Sequence, residues 1–135
     1  MRIVSSILDM IEACRMARRP IGLVPTMGSL HNGHMALVKR AMCENAMVVA
    51  SIFVNPTQFS LIDRPEDYPR SLASDLDRLE KHGVDFVFIP SVVEMFPDDM
   101  DTWVGPDALG MCLEGEYRPG HYRGVATVVT KLFNI

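Results

Sequence analysis

Apolar residues recur at helical spacing from Val4 to Arg19, where Val4, Ile7, Leu8, Ile11 and Cys14 share one face and Ser5 or Ser6 stands ready to cap. This predicts a surface helix with one buried side, ended by Pro20, which lacks the N–H that a continuing helix needs. Ile21–Val24 then runs apolar without alternation, as a strand covered on both faces does. After a loop over Pro25–His31, Asn32 is placed to cap a second helix with Met35, Val38, Ala41 and Met42 inward, and Met47–Val54 reads as a second buried strand. A polar, proline-punctuated loop leads to Ser71, the expected cap of a helix with Leu72, Leu76 and Leu79 inward and Gly83 as its stop. "DFVFIP" at 85–90 is a third strand.

Helices alternating with buried strands predict an α/β fold, a Rossmann-like doubly wound parallel sheet. Beyond Pro90 the pattern loosens: Ser91–Met95 suits a short helix and "TWVG" a short edge strand. From Gly124 helical spacing returns through Val125, Val128, Val129 and Leu132, and the chain stops at Ile135 with no following strand. A helix of this class normally leads back into the sheet, so the ending reads as an interruption. The expectation is one N-terminal Rossmann-like domain over residues 1–135, incomplete at its C-terminal end.

Composition narrows the partners. With 135 residues, 48% of them hydrophobic, one core is expected, and a formal charge of -4 argues against a surface for nucleic acid or anionic membrane. No apolar run approaches the ~18 residues that span a bilayer. Asp9 and Glu12 interrupt the first apolar stretch, which argues against a signal peptide and for the cytoplasm. Cys14, Cys43 and Cys112 are odd in number and form no C-x-x-C pair, which suits reduced thiols, read as buried or neutral.

Chemistry is expected beyond the carboxyl ends of the strands, near a helix N-terminus whose free N–H groups favour anions. Two loops qualify. "PTMGSLHNGH" places Gly28 and Gly33 where backbone can approach a phosphate, with His31 beside them and His34 in the first helical turn; "NPTQF" places Asn55 and Gln58 after the next strand. A metal reading of the histidines lacks a third ligand at any familiar spacing. Packing is the bland alternative, but two histidines with two glycines at a strand-to-helix turn favour a phosphate, to which an imidazole can donate hydrogen bonds.

"LVPTMGSLHNGHMALV", "SIFVNPTQF", "YPRSLASDLDRLEKHGVDFVFIPS" and "LEGEYRPGHYRGVATVVTKLFNI" together resemble the N-terminal half of the pantothenate synthetase (pantoate-beta-alanine ligase) family, within the H-x-G-H nucleotidyltransferase superfamily. The resemblance implies a two-step reaction. Pantoate carboxylate attacks the α-phosphorus of Mg-ATP to give pantoyl adenylate and pyrophosphate; the beta-alanine amine then attacks the acyl carbon to give pantothenate and AMP. The task is alignment and neutralisation of developing charge. Carried over by motif, Met27, Gly28, Ser29, Leu30, His31, Asn32, Gly33 and His34 would form the ATP-binding turn, with His34 catalytic and His31 on the phosphates. Gln58 would hydrogen-bond pantoate and later beta-alanine, with Asn55 nearby, and Pro25, Met27, Val128 and Val129 would meet the pantoate methyl groups.

Mg2+ would accompany ATP as substrate, with no protein-ligated structural metal, and the resemblance implies a homodimer in the cytoplasm. Arg123 is expected to be structural, while Arg118 and His121 are open between pocket and loop roles, and Tyr68 between fold and ligand. Asp75 and Asp77 suit the dipole of their helix and are not assigned to Mg2+. The sequence departs from the family in placing Glu66 and Asp67 directly before Tyr68, and in lacking the G-E-K-D and S-S-R-N segments that close over ATP. The chain alone is therefore expected to turn over poorly. A non-catalytic nucleotide-binding module, or another H-x-G-H adenylyltransferase, is the alternative; the neutral amide of "VNPTQF" suits a carboxylate acceptor better than a dianionic phosphate.

Overall fold

The computed structural model describes residues 1–59, Tyr68 and residues 71–135. The expected course of the polar loop, including Glu66 and Asp67, lies outside the described residues. The chain forms two compact units, one from Met1–Phe53, 71–91 and Ile135, the other from 54–59, Tyr68 and Val92–Asn134.

The first unit is a four-stranded parallel sheet. Its strands are β1 (Arg2–Val4), β2 (Ile21–Thr26), β3 (Met47–Ile52) and β4 (Phe86–Phe88), in the order β1-β4-β3-β2. Helices α1 (Ile7–Arg15), α2 (Asn32–Glu44) and α3 (Leu72–Lys81) connect them. All six residues of β3 are buried, because both faces of this inner strand are covered. Val48, Ala50 and Ile52 join Val24, Leu30, Met35, Val38, Leu79, Val84 and Val87 in the main core, against α2 and α3. The alternate residues Met47 and Val49 face the other way, toward the side on which α1 lies with its buried Met10.

Pattern and structure part company at the margins of the elements. The helix expected over Val4–Arg19 is split: Arg2–Val4 is the edge strand β1, paired with Phe86–Phe88, and α1 spans only Ile7–Arg15 with Ser6 as its cap. A β-branched Val4 buried beside β4 gains more from pairing than from one more helical turn. Leu8, assigned inward, is 76% exposed, and Met10 takes the buried position. β2 runs on through Pro25 to Thr26, tolerated because β2 is an edge strand of this sheet and needs fewer ladder donors. β3 and β4 are shorter than expected, and Met42 and Leu72, read as inward, are exposed.

The second unit opens with a 3-10 turn, Pro56–Gln58, and continues with α4 (Val92–Met95), a second 3-10 turn (Asp107–Met111), α5 (Glu114–Tyr117) and α6 (His121–Phe133). "TWVG" forms no strand. Its Val104 instead donates its N–H to the buried hydroxyl of Thr127 on α6 (3.0 Å), and Trp103 stacks with Phe96 and meets the guanidinium of Arg123, which stands 4.6 Å from the indole centroid. Arg118 pairs with Glu114 at 2.9 Å on the surface. The cysteines are unpaired; Cys43 and Cys112 are exposed and Cys14 is half-buried, so burial does not account for all three. Burial pushes the Cys14 thiol up, with Arg19 opposing.

Candidate functional site

In the first unit the segment after β2 is held by hydrogen bonds at Gly28, Ser29 and Leu30. The Thr26 hydroxyl donates to the Ser51 carbonyl (2.7 Å) and accepts from Gly28 N–H (3.1 Å). Gly28 and Ser29 follow in the left-handed region, at φ 85° and 53°. Glycine adopts this freely and serine only under constraint. The constraint is Asp75 on α3, 2% exposed, whose two carboxylate oxygens accept from Ser29 N–H and Leu30 N–H at 2.8 Å each, while the Ser71 hydroxyl donates to it at 3.3 Å. Leu30 then drops into the main core.

The turn so aimed delivers the start of α2. His31, not Asn32, is the cap: its Nδ1 accepts from Gly33 N–H (3.1 Å), and Nδ1 of His34 accepts in return from His31 N–H (3.3 Å). This is the reciprocal arrangement usually made by a hydroxyl and a carboxylate, here built from two imidazoles. The rings lie 4.1 Å apart. Gly33 is required by crowding rather than by φ, since a Cβ there would stand 2.9 Å from Cε1 and 3.0 Å from Nδ1 of His31.

These contacts determine the tautomers. A backbone N–H can only donate, so in this arrangement Nδ1 of each ring carries no proton and Nε2 of each carries one. Burial lowers the pKa of His34, the neighbouring His31 lowers it further, and Asp75 opposes both. His34 is thus a neutral donor at pH 7, beside the free N–H groups at the positive end of a 13-residue helix. Of the other residues expected in this turn, Gly28 and Leu30 are buried, Met27, Ser29 and His34 half-buried, and His31, Asn32 and Gly33 exposed; Pro25 is exposed on β2.

The second unit holds the other expected loop. Asn55, 1% exposed, caps the Pro56–Gln58 turn: its Oδ1 accepts from Thr57 N–H (3.2 Å) and from the Thr57 hydroxyl (2.8 Å). Its Nδ2 donates to Gln58 Oε1 (3.0 Å) and to the Gly124 carbonyl (3.2 Å). His121 Nδ1 meets the Gln58 carbonyl at 2.8 Å, and as a carbonyl only accepts, that nitrogen carries the proton. Gly124 packs so closely on Thr57 that a Cβ would collide with its backbone. Val128 is buried and Val129 half-buried on the same helix.

Two contributors escape a reading of the sequence. Asp75 reads there as a dipole-matching residue, and nothing local marks a partner 46 residues away. For His121 the motif "RPGHYRG" is the only signal, and it does not separate a pocket role from a loop role. The cleft beside α1, about 490 Å³ and lined by Arg2, Asp9, Glu12, Met47 and Phe86 among others, lies at the amino ends of the strands, away from the histidine turn.

The family model for pantoate-beta-alanine ligase matches residues 1–135. A pantothenate synthetase from Rhizobium meliloti is 58% identical over 138 aligned positions, covering 100% of this chain and 47% of the relative. One from Allorhizobium ampelinum is 54% identical over 132, covering 98% and 46%. Among solved structures, pantothenate synthetase from Thermus thermophilus superposes with a TM-score of 0.93 at 48% identity, over 98% of this chain and 48% of that one. Pantoate-beta-alanine ligase from Francisella tularensis, complexed with beta-gamma ATP and beta-alanine, gives 0.89 at 41%, over 99% and 52%. The chain spans about half the length of these relatives. It belongs to the pantoate-beta-alanine ligase family.

Proposed function

We propose that this member of the pantoate-beta-alanine ligase family supplies the N-terminal, nucleotide-binding part of an enzyme that condenses pantoate with beta-alanine at the expense of ATP. A pantoate carboxylate oxygen forms a bond to the α-phosphorus as the bond to pyrophosphate breaks. The beta-alanine amine then bonds to the acyl carbon, AMP departs with the former carboxylate oxygen, and the nitrogen sheds a proton. The observation that carries the reading is the pair of imidazoles at the head of α2, each with Nδ1 taken by a backbone N–H and its proton therefore on Nε2. Two fixed donors beside a helix N-terminus suit a phosphoryl group whose oxygens gain charge in the transition state, and they need no reorganisation when that charge develops.

In this reading residues Met27 to His34 bind ATP, His34 is the catalytic residue and His31 contacts the phosphates. Gln58, with Asn55 beside it, serves the acceptor, and Pro25, Met27, Val128 and Val129 meet its methyl groups. Among the described residues no group of three His, Cys, Asp or Glu side chains is gathered to hold a metal. Mg2+, taken to accompany ATP as part of the substrate, would supply charge neutralisation. The same reading places the enzyme in the cytoplasm as a homodimer; among the described residues no helix is long and apolar enough to cross a membrane.

The test is calorimetric titration of the chain with Mg-ATP, then pantoate, with 15N spectra of the imidazoles. Saturable ATP binding that shifts Nε2 of His31 and His34, and that His34→Ala weakens, is the expected result. ATP binding that leaves both imidazoles unmoved would refute the placement of the phosphates.

A further inference from the structure

The two ends of a carboxamide have the same shape and opposite chemistry, so what Gln58 offers a ligand depends on which way its amide is turned. Main-chain groups decide this. Thr57 N–H can only donate, so the Asn55 atom it meets at 3.2 Å is Oδ1. The Gly124 carbonyl can only accept, so the atom facing it at 3.2 Å is Nδ2. With Asn55 locked at both ends, its remaining Nδ2 hydrogen points at Gln58, and only Oε1 can receive it, at 3.0 Å. Gln58 must turn Nε2 away, and no described residue takes its hydrogens. His121 holds the main-chain carbonyl of Gln58 at 2.8 Å, so the residue is pinned at backbone and side chain together.

We propose that Asn55 is a positioning residue that turns the Gln58 amide so that its Nε2 donor faces outward, and this turn therefore takes a carboxylate or hydroxyl oxygen in preference to an ammonium group. Asn55 itself is 1% exposed, with its acceptor and both donors engaged, and has nothing left to offer a ligand. Reversing Gln58 would set two N–H groups face to face and leave a buried donor unpaired, which the interior tolerates poorly. An ammonium group brought to the outward Nε2 meets donor against donor, whereas an oxygen meets two N–H groups. The identity of the oxygen ligand as pantoate rests on the function proposed above; the orientation of the amide does not.

Side-chain amide 1H–15N spectra of the 135-residue chain separate the two. The Asn55 NH2 is expected to exchange slowly with solvent and the Gln58 NH2 quickly. Sodium pantoate should shift the Gln58 resonance, and ethylammonium chloride at equal concentration should not. Asn55→Asp keeps the acceptor for Thr57 but removes the donor, so Gln58 should turn, its NH2 becoming protected and the pantoate shift disappearing. Gln58→Glu keeps an oxygen toward Asn55 and replaces the outward donor, so the fold should hold while pantoate affinity drops at least about tenfold. A protected Gln58 amide in the unaltered chain, or an ammonium shift as large as that of pantoate, would overturn the proposal. If the orientation holds and pantoate leaves Gln58 unmoved, the outward-donor assignment stands and the pantoate reading falls.

Discussion

Replacing Asp75 with alanine cuts the histidine turn loose from α3. Two 2.8 Å hydrogen bonds from Ser29 and Leu30 to a carboxylate that is 2% exposed are lost, together with the weaker one from Ser71. Bonds to a charged acceptor contribute about 1.5–3 kcal/mol each. Some of that loss is offset when Ser29 leaves its left-handed conformation, which holds of order 1–3 kcal/mol of strain. The net loss is about 2–4 kcal/mol, or a melting temperature lower by roughly 8–16 °C for a chain of this size. Asp75→Asn keeps one carbonyl acceptor but turns an NH2 toward the other backbone N–H, so it should lose about half as much or more. Urea unfolding gives the free energies, and amide exchange at Ser29 and Leu30 locates the change. If Asp75→Ala unfolds within about 0.5 kcal/mol of the parent, or if those two amides stay protected, the carboxylate is not what holds the turn.

The other expectations concern neighbouring contacts. Because burial and His31 depress the pKa of His34, the unfolded chain takes up this proton first as pH falls. Stability should therefore decline from histidine's ordinary range down through the lower folded value and then level off, and melting curves of His34→Gln should lack that component. Gly33→Ala places a methyl against the His31 ring, so the ring should swing off the cap. Its Nδ1 15N shift should then lose the hydrogen-bonded signature, and ATP binding should weaken by about tenfold, whereas an unchanged His31 spectrum would show that the ring has room. Gly124→Ala drives a Cβ into the Thr57 backbone, an overpacking worth about 1–3 kcal/mol. Hydrogen exchange should report it as faster opening at Thr57 and Gln58; equal protection in both proteins would contradict the close approach.

Much of the sheet is legible in the sequence because its signals are short-range. β3 shows as an unbroken apolar run, and α2 and α6 show by their spacing, since a residue buried on a regular element must recur with that element's period. The "SLHNGH" turn is legible as a phosphate candidate for the same reason, as the break between a buried strand and an amphipathic helix. β1 is not, because three residues carry no period and its pairing with β4 spans more than eighty positions. The cap expected at Asn32 lies one residue earlier: asparagine is the commoner cap, and the reason His31 displaces it is a second histidine reaching back from the first helical turn.

By itself, then, the sequence determined where the inner strands and the longer helices lie, which turn faces the carboxyl end of the sheet, and through its motifs the family, since each of these follows from residues close together in the chain. Only the tertiary structure decided what those residues present to a ligand. A histidine's tautomer and a glutamine's orientation depend on which backbone group each meets: Gly33 N–H for His31, His31 N–H for His34, and Gly124 through Asn55 for Gln58. Such partners are chosen by folding and leave no periodic trace, as with Asp75, whose hold on Ser29 exists only because α3 packs beneath the turn.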